Sequence, residues 1–303
     1  MESAINILLQ NYSCPFLDGV MLAITALGDE MFFILVALVL YWCVDKKYAF
    51  RFMNVYFISA ATMAGMKQLV RRPRPFETEG IKSIGEKSSG YSFPSGHSHS
   101  AASLTTQCAL RFKKAWIIIA GVILTALVMF SRVYLGQHYV SDVLAGCSLG
   151  IILAITLTWL YGLLEKHADR FWIVITPLCL IITVILAILK VESGQVYDVL
   201  GGYGAVALAY AAEKKYVCFE EKTAWWKQII KVVTGLILVL AVKEGLKYLL
   251  IACNLTHPLL YSFVRYALVA FTAMLFAPAL FRLCGLSGKK EKTRPAKKEP
   301  IAK

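Results

Sequence analysis

The chain has 303 residues, 58% hydrophobic and 17% charged, with 32 Lys and Arg against 19 Asp and Glu for a formal net charge of +13. So large an apolar share excludes an ordinary water-soluble domain. The basic excess does not point to nucleic acid: much of it lies in short loops and in Lys289 to Lys303, without any nucleic-acid-binding signature, and it reads as membrane orientation and attraction to anionic lipid.

A helical crossing of the hydrocarbon core takes about 20 residues. Apolar segments near that length fall at 30–45, 48–70, 95–112, 114–132, 140–164, 171–190, 197–212, 227–251 and 256–284. They predict an all-α, polytopic membrane helix bundle of about nine transmembrane helices. Residues 1–29 begin without the basic region of a secretory signal and read as mature sequence. There Ile5, Leu8, Leu9, Phe16, Leu17, Met21 and Leu22 are broken by Asn11, Pro15 and Asp18, which predicts an interfacial or re-entrant segment. The predicted layout continues with a catalytic membrane core over 30–190 and additional transmembrane helices over 191–286. A basic, Pro-interrupted tail over 287–303 is too polar to bury a core and is expected to be disordered.

Lys and Arg mark cytoplasmic loops. Lys46, Lys47 and Arg51, then Arg111, Lys113 and Lys114, then Lys166 and Arg170, then Lys214, Lys215, Lys222 and Lys227 occupy alternate connections, with the basic tail on the same side. Of the opposite connections only 71–94 is rich in Arg. This pattern places the carboxyl terminus in the cytoplasm and 71–94 outside. The eight cysteines are scattered, with no Cys-x-x-Cys spacing, and are expected to be buried and inert.

Chemistry concentrates in three segments. In the third, Ser131-Arg132 is followed by His138 and Asp142; positions i and i+4 share a helix face, so Asp142 can hold one imidazole nitrogen of His138 and leave the other as a nucleophile. In the second, Pro94-Ser95-Gly96-His97 opens a helix whose amino end suits a phosphate, with His97 placed as general acid. The first supplies Lys67 and Arg74, which with Arg132 can neutralise phosphoryl oxygens as a metal ion does elsewhere. No metal-binding carboxylate cluster is visible, so neither metal nor cofactor is expected.

Lys-x6-Arg-Pro, Pro-Ser-Gly-His and Ser-Arg-x5-His-x3-Asp, in that order over roughly residues 60 to 150, resemble the type 2 phosphatidic acid phosphatase superfamily, which includes the vanadium haloperoxidases. The resemblance implies that Lys67, Arg74, Ser95, Gly96 and Arg132 bind phosphate, that His97 is the acid, His138 the nucleophile and Asp142 its partner. Leu27-Gly28-Asp29 ahead of the first span is similar to the nine-span layout of glucose-6-phosphatase. The implied protein is an integral phosphatase of a bacterial plasma membrane, with its site extracytoplasmic. It would act through a phosphohistidine on a lipid phosphate or diphosphate of polyprenyl, phosphatidic acid or phosphatidylglycerophosphate type. A soluble sugar phosphate is the alternative substrate, and a non-catalytic lipid-binding or transport protein a further one. The expected partners are the lipid substrate and the bilayer, without nucleic acid; nothing in the sequence sets an oligomeric state.

Some residues stay open. Arg71 or Arg72 suits either a second phosphate or membrane anchoring, and Glu77 to Gly90 has the composition of a lid. His99 reads as structural, His167 and His257 as solvated. Glu244 is expected to pair with Arg265; Lys243 and Lys247 either face a substrate headgroup or fix packing.

Overall fold

The computed structural model describes residues 2–164, 170–190, 194–255, 257 and 259–288. His167 and the tail from Lys289 fall outside them. Among the described residues regular structure is helical throughout. α1 (Glu2–Gln10) and α2 (Pro15–Ala26) precede α3 (Glu30–Val39), which runs through a π-helical turn (Leu40–Val44) into α4 (Lys46–Val70). After a long connection come α5 (Gly96–Phe112), α6 (Ala115–Tyr134), α7 (Val140–Leu164), α8 (Phe171–Ile188), α9 (Gly194–Ala212) and α10 (Trp225–Ala252). The last rod joins α11 (Arg265–Phe271) and α12 (Ala277–Leu283) through π-helical turns at Leu259–Val264 and Thr272–Phe276.

Among the described residues, helices occupy the segments expected to cross, but only α6, α7 and Tyr261–Leu283 are long and apolar enough to do so alone. Pro15–Ala26 and Glu30–Val44 qualify as a pair, bent by 49°. The others fall short for physical reasons. α4 carries Lys46, Lys47, Arg51 and Lys67, and α5 is rich in Ser, Thr and His. α5 can be polar because it is the central rod, packed chiefly on α7 and α6, with Ser98, His99, Ser100, Ser103 and Gln107 buried. Helix neighbours, not lipid, cover that face.

The α5–α7 approach depends on missing side chains. Gly146 lies against the Ser95 backbone, and a Cβ on Gly150 would sit 2.6 Å from the His99 carbonyl oxygen. Small residues at this spacing let two helices approach closely inside a membrane. His99 is fully buried, with Nε2 2.6 Å from Ser59 Oγ on α4.

The main apolar core joins α3, its π turn and α4 to α9 through α12, around Trp42, Phe50, Phe52, Phe219 and Phe281. Buried aromatic polar groups need partners, and the π turn Thr272–Phe276 supplies them: Trp42 Nε1 donates to Ala273 O at 2.9 Å and Tyr41 Oη to Met274 O at 3.0 Å. Arg265 Nη2 lies 3.9 Å from Glu244 Oε1, and its Nε donates to Lys243 O at 3.0 Å. The cysteines depart from expectation. All eight are free thiols, but only Cys179 is buried and four are exposed, because outward positions on a membrane bundle need not be polar.

Replacing Gly146 by Ala is expected to destabilise the fold by about 1–3 kcal/mol through overpacking against Ser95. A lowered thermal midpoint in detergent is the readout; an unchanged midpoint would show that the α5–α7 contact has slack.

Candidate active site

Helix ends gather the site. α4 ends at Val70 with Lys67 in its last turn, α5 begins at Gly96, α6 ends just past Arg132, and α7 starts two residues after His138. At the opposite end Arg111 pairs with Asp45 at 3.0 Å and Lys46 with Glu213 at 3.2 Å. The bundle therefore separates the motif residues from most loop lysines.

His138 and Asp142 are buried, at 2% and 0% exposure. Asp142 is held from several directions: its Oδ2 accepts from Ser92 Oγ and, at 2.8 Å, from Tyr139 N, while Oδ1 accepts from Arg72 Nη1 at 2.7 Å. His138 Nδ1 faces this group, 3.5 Å from Ser92 Oγ and 3.7 Å from Asp142 Oδ2. These separations are long for hydrogen bonds. Nε2 points the other way, 3.4 Å from Arg74 Nη1. Burial, reinforced by Arg132, Arg74 and Lys67 and opposed by Asp142, holds the His138 pKa well below the ordinary histidine range. The ring is neutral at neutral pH, the state a nucleophile needs.

Three cations surround the histidines without carboxylate partners at ion-pair distance among the described residues. Arg74 donates to the carbonyls of Gly90 at 2.8 Å, Ser89 at 2.8 Å and Gln137 at 3.1 Å. Lys67 donates to Tyr91 O at 2.8 Å. Arg132 donates to Thr25 Oγ1 at 3.1 Å and Ser88 Oγ at 2.9 Å, and its buried Nε has no partner. Neutral acceptors fill hydrogen-bonding capacity and leave the positive charge uncancelled.

Ser95 is fully buried and caps α5: its Oγ accepts from Ser98 N at 3.5 Å and Ser98 Oγ at 3.0 Å, while Ser95 N donates to Asp142 O at 3.0 Å. The first amides of α5, from Gly96 on, lack intrahelical acceptors, which suits an anion. A cleft of about 470 Å³ opens beside His97 and Arg132, walled on one side by Leu22, Met31, Ile84 and Leu135. His138, Arg74 and Lys67 do not line it.

Several residues that position this site stand outside the motifs. Ser92 bridges the nucleophile and its carboxylate. Arg72 is engaged with Asp142, with Ser141 Oγ at 2.6 Å and with Glu2, and stacks 4.1 Å from the centroid of the Tyr139 ring. The Arg72 guanidinium in turn holds the Glu2 carboxyl below its usual range. From α1, fully buried Asn6 donates to Val133 O at 2.8 Å and His138 O at 3.1 Å. Gln137 receives Ser88 N at 3.2 Å and donates to Ser83 Oγ at 2.7 Å. The expected lid is thus tied down by the side chains it would cover. Sequence offered only faint signals: a polar Asn6 in an apolar stretch, and an extra arginine inside the first motif.

No cluster of His, Cys, Asp or Glu able to hold a metal ion occurs among the described residues. Residues 48–166 match the PAP2 superfamily, and residues 197–290 match the transmembrane extension of PAP2 superfamily phosphatases. Sphingosine-1-phosphate phosphatase 1 of Mus musculus is 27% identical over 306 residues, taking in 87% of this chain and 71% of its own. Phosphatidylglycerophosphatase B of Bacillus subtilis is 49% identical over 75 residues, 22% of this chain and 36% of that protein. The crystal structure of a transmembrane PAP2-type phosphatidylglycerolphosphate phosphatase from Bacillus subtilis aligns with a TM-score of 0.45 and 28% identity, over 55% of this chain and 85% of the other. The two matched regions take in most of the sequence, and the motif residues fall within the first; the chain belongs to the PAP2 superfamily and is an integral membrane phosphatase carrying that superfamily's transmembrane extension.

Proposed function

We propose that the protein hydrolyses a phosphomonoester or diphosphate of a membrane lipid, without a metal ion, through a phosphohistidine on His138. The observation that carries this reading is the orientation of His138: Nδ1 toward Ser92 and Asp142, Nε2 toward Arg74. The phosphoryl oxygens take the place of neutral acceptors on Lys67, Arg74 and Arg132 and bind the first amides of α5 at Gly96, next to the Ser95 cap. The His138 Nε2 lone pair attacks phosphorus in line. The ester P–O bond breaks as His97 gives its proton to the departing oxygen. Water then loses a proton to His97 and attacks the phosphohistidine, releasing inorganic phosphate and restoring both rings. Positioning and charge carry the rest of such a transfer.

The partly apolar wall of the cleft supports a lipid substrate, as do the names of the similar proteins, which act on sphingosine-1-phosphate and phosphatidylglycerophosphate. For topology the reading takes about nine crossings, a bacterial plasma membrane, an extracytoplasmic site and a cytoplasmic carboxyl terminus, from the separation of loop lysines and motif residues to opposite ends. Residues 30–190 then form the catalytic core and 191–286 an added helical layer.

Purified protein in mixed micelles, with chelator present, is expected to release phosphate from phosphatidic acid, a polyprenyl diphosphate or phosphatidylglycerophosphate. Turnover confined to glucose 6-phosphate would favour the soluble substrate instead, and activity lost to chelator would remove the metal-free chemistry. Rapid acid quenching with a labelled substrate is expected to trap phosphate on the wild type and not on His138→Ala; equal labelling of both sinks the nucleophile assignment. Arg72→Ala is expected to lower kcat by roughly 10²-fold, the scale of a misplaced reacting group, with KM little changed and without rescue by Lys. Full activity of that variant would show that Asp142 needs no outer partner.

A further inference from the structure

His97 stands among groups that oppose its task. Lys67 in the last turn of α4, Arg74 in the following connection, Arg132 in the last turn of α6 and His138 in the α6–α7 turn belong to the same cluster of helix ends as His97. Positive neighbours disfavour a protonated imidazole, yet a general acid must hold a proton until the ester bond breaks. Among the described residues one carboxylate lies within ion-pair distance: Asp29 Oδ2, 3.6 Å from His97 Nε2.

Local structure aims this carboxylate. Asp29 sits at the turn where α2 and the Glu30–Val44 rod bend by 49°, and its Oδ1 caps α3 by accepting from Met31 N at 2.8 Å. The turn approaches because residue 28 lacks a side chain. A Cβ on Gly28 would lie 2.5 Å from Val128 Cγ1, 3.1 Å from the His97 carbonyl oxygen and 3.3 Å from the His97 Cβ. Asp29 and His97 both line the cleft that holds Arg132, which buried His138 does not line.

We infer that Asp29 is the positioning residue of the acid histidine: its carboxylate holds the Nε2–H of His97, so that Nδ1 is the nitrogen that gives and takes the catalytic proton. The inference rests on the phosphohistidine reading above. In the first half-reaction the His138 Nε2–P bond forms, the ester P–O bond breaks, and the Nδ1 proton of His97 goes to the ester oxygen, releasing a neutral alcohol. His97 is left neutral with its proton on Nε2, still facing Asp29, and a lone pair on Nδ1. In the second half-reaction that lone pair takes a proton from water as the water oxygen bonds to phosphorus; the His138 Nε2–P bond breaks, its electron pair returns to Nε2, and inorganic phosphate leaves. Each histidine then has its own carboxylate, Asp142 from α7 and Asp29 from the α2–α3 turn.

The test is Asp29→Asn in the full-length protein, because Asn caps a helix about as well as Asp and removes the charge alone. The readout is kcat/KM, which reports steps through the first irreversible phosphoryl transfer, on a lipid alkyl phosphate and on p-nitrophenyl phosphate. Alkyl oxygens need protonation to leave and p-nitrophenolate does not. The variant is expected to lose about 10²-fold on the alkyl ester, the lower end of a general acid's contribution, and to stay within about threefold on the aryl ester. Its alkaline limb on the alkyl ester moves to lower pH, since an imidazolium without its carboxylate gives up its proton sooner as pH rises. Asp29→Glu restores part of the loss. Equal losses on both esters, or an unmoved alkaline limb, would overturn the inference and leave Asp29 as a helix cap. His138→Ala separates the two levels: if that variant still turns over either ester, the phosphohistidine reading fails; if it is dead while Asp29→Asn behaves as wild type, only the role of Asp29 fails.

Discussion

Buried positive charge that is hydrogen-bonded but not neutralised is the constraint around which this molecule is arranged. Taking a guanidinium or ammonium out of water is costly unless its donors find acceptors. A carboxylate would meet that need and would also cancel the attraction for a phosphate. Lys67, Arg74 and Arg132 meet it with the carbonyls of Ser89, Gly90, Tyr91 and Gln137 and the hydroxyls of Thr25 and Ser88. Those acceptors are dipoles, so most of the donors are satisfied, Arg132 Nε excepted, while the charge stays available. Arg72 shows the opposite solution. Paired with Asp142 and Glu2, it is neutralised and serves to hold the site together.

The same constraint explains the connection from Arg71 to Ser95. Its glycines and serines resemble a loose lid, and by composition alone nothing would order it. The motif cations order it instead, since the carbonyls of Ser89, Gly90 and Tyr91 that they recruit each fix a residue of the loop. Gln10 adds a tie from α1, donating to Lys82 O at 2.8 Å and accepting from Lys82 N at 3.0 Å. The order of the loop and the hydrogen bonding of these cations are therefore linked, and a change in either is felt in the other.

How much of this could be read from the sequence follows from which interactions are local. The helical segments were legible because long apolar runs have few alternatives in lipid, and the i, i+4 placement of His138 and Asp142 because helix geometry is fixed. The central place of α5 was not legible: a polar helix among apolar ones shows its reason only when α6 and α7 are seen around it. Ser92, Asn6 and Glu2 were not legible because their partners lie far along the chain, Asn6 being 127 residues from Val133 and Glu2 70 residues from Arg72; Arg72 stands out as charge, but neither a second phosphate nor membrane anchoring anticipates its bond to Asp142. The cysteines show the reverse: apolar character does not fix burial, because a membrane bundle also puts apolar residues outside.

The division between fixed and variable parts of the site narrows where selectivity can lie. On the phosphate side the groups are fixed by backbone and by polar side chains: a helix end at Gly96, Lys67 and Arg74 anchored on carbonyls, Arg132 on the hydroxyls of Thr25 and Ser88, and a carboxylate held by Ser92, Tyr139 and Arg72. Such a cradle grips any phosphoryl group and distinguishes little about what the group is attached to. The leaving-group side is built from other elements, the end of α2, the α2–α3 turn and residues 84–88, which meet at His97. The side chains of Leu22 and Met31 there can vary with less effect on the cradle than Ile84, which packs against Tyr134 and Leu135 and donates its N–H to Leu135 O. Substrate choice is thus confined to a surface that can vary while the chemistry next to it stays fixed.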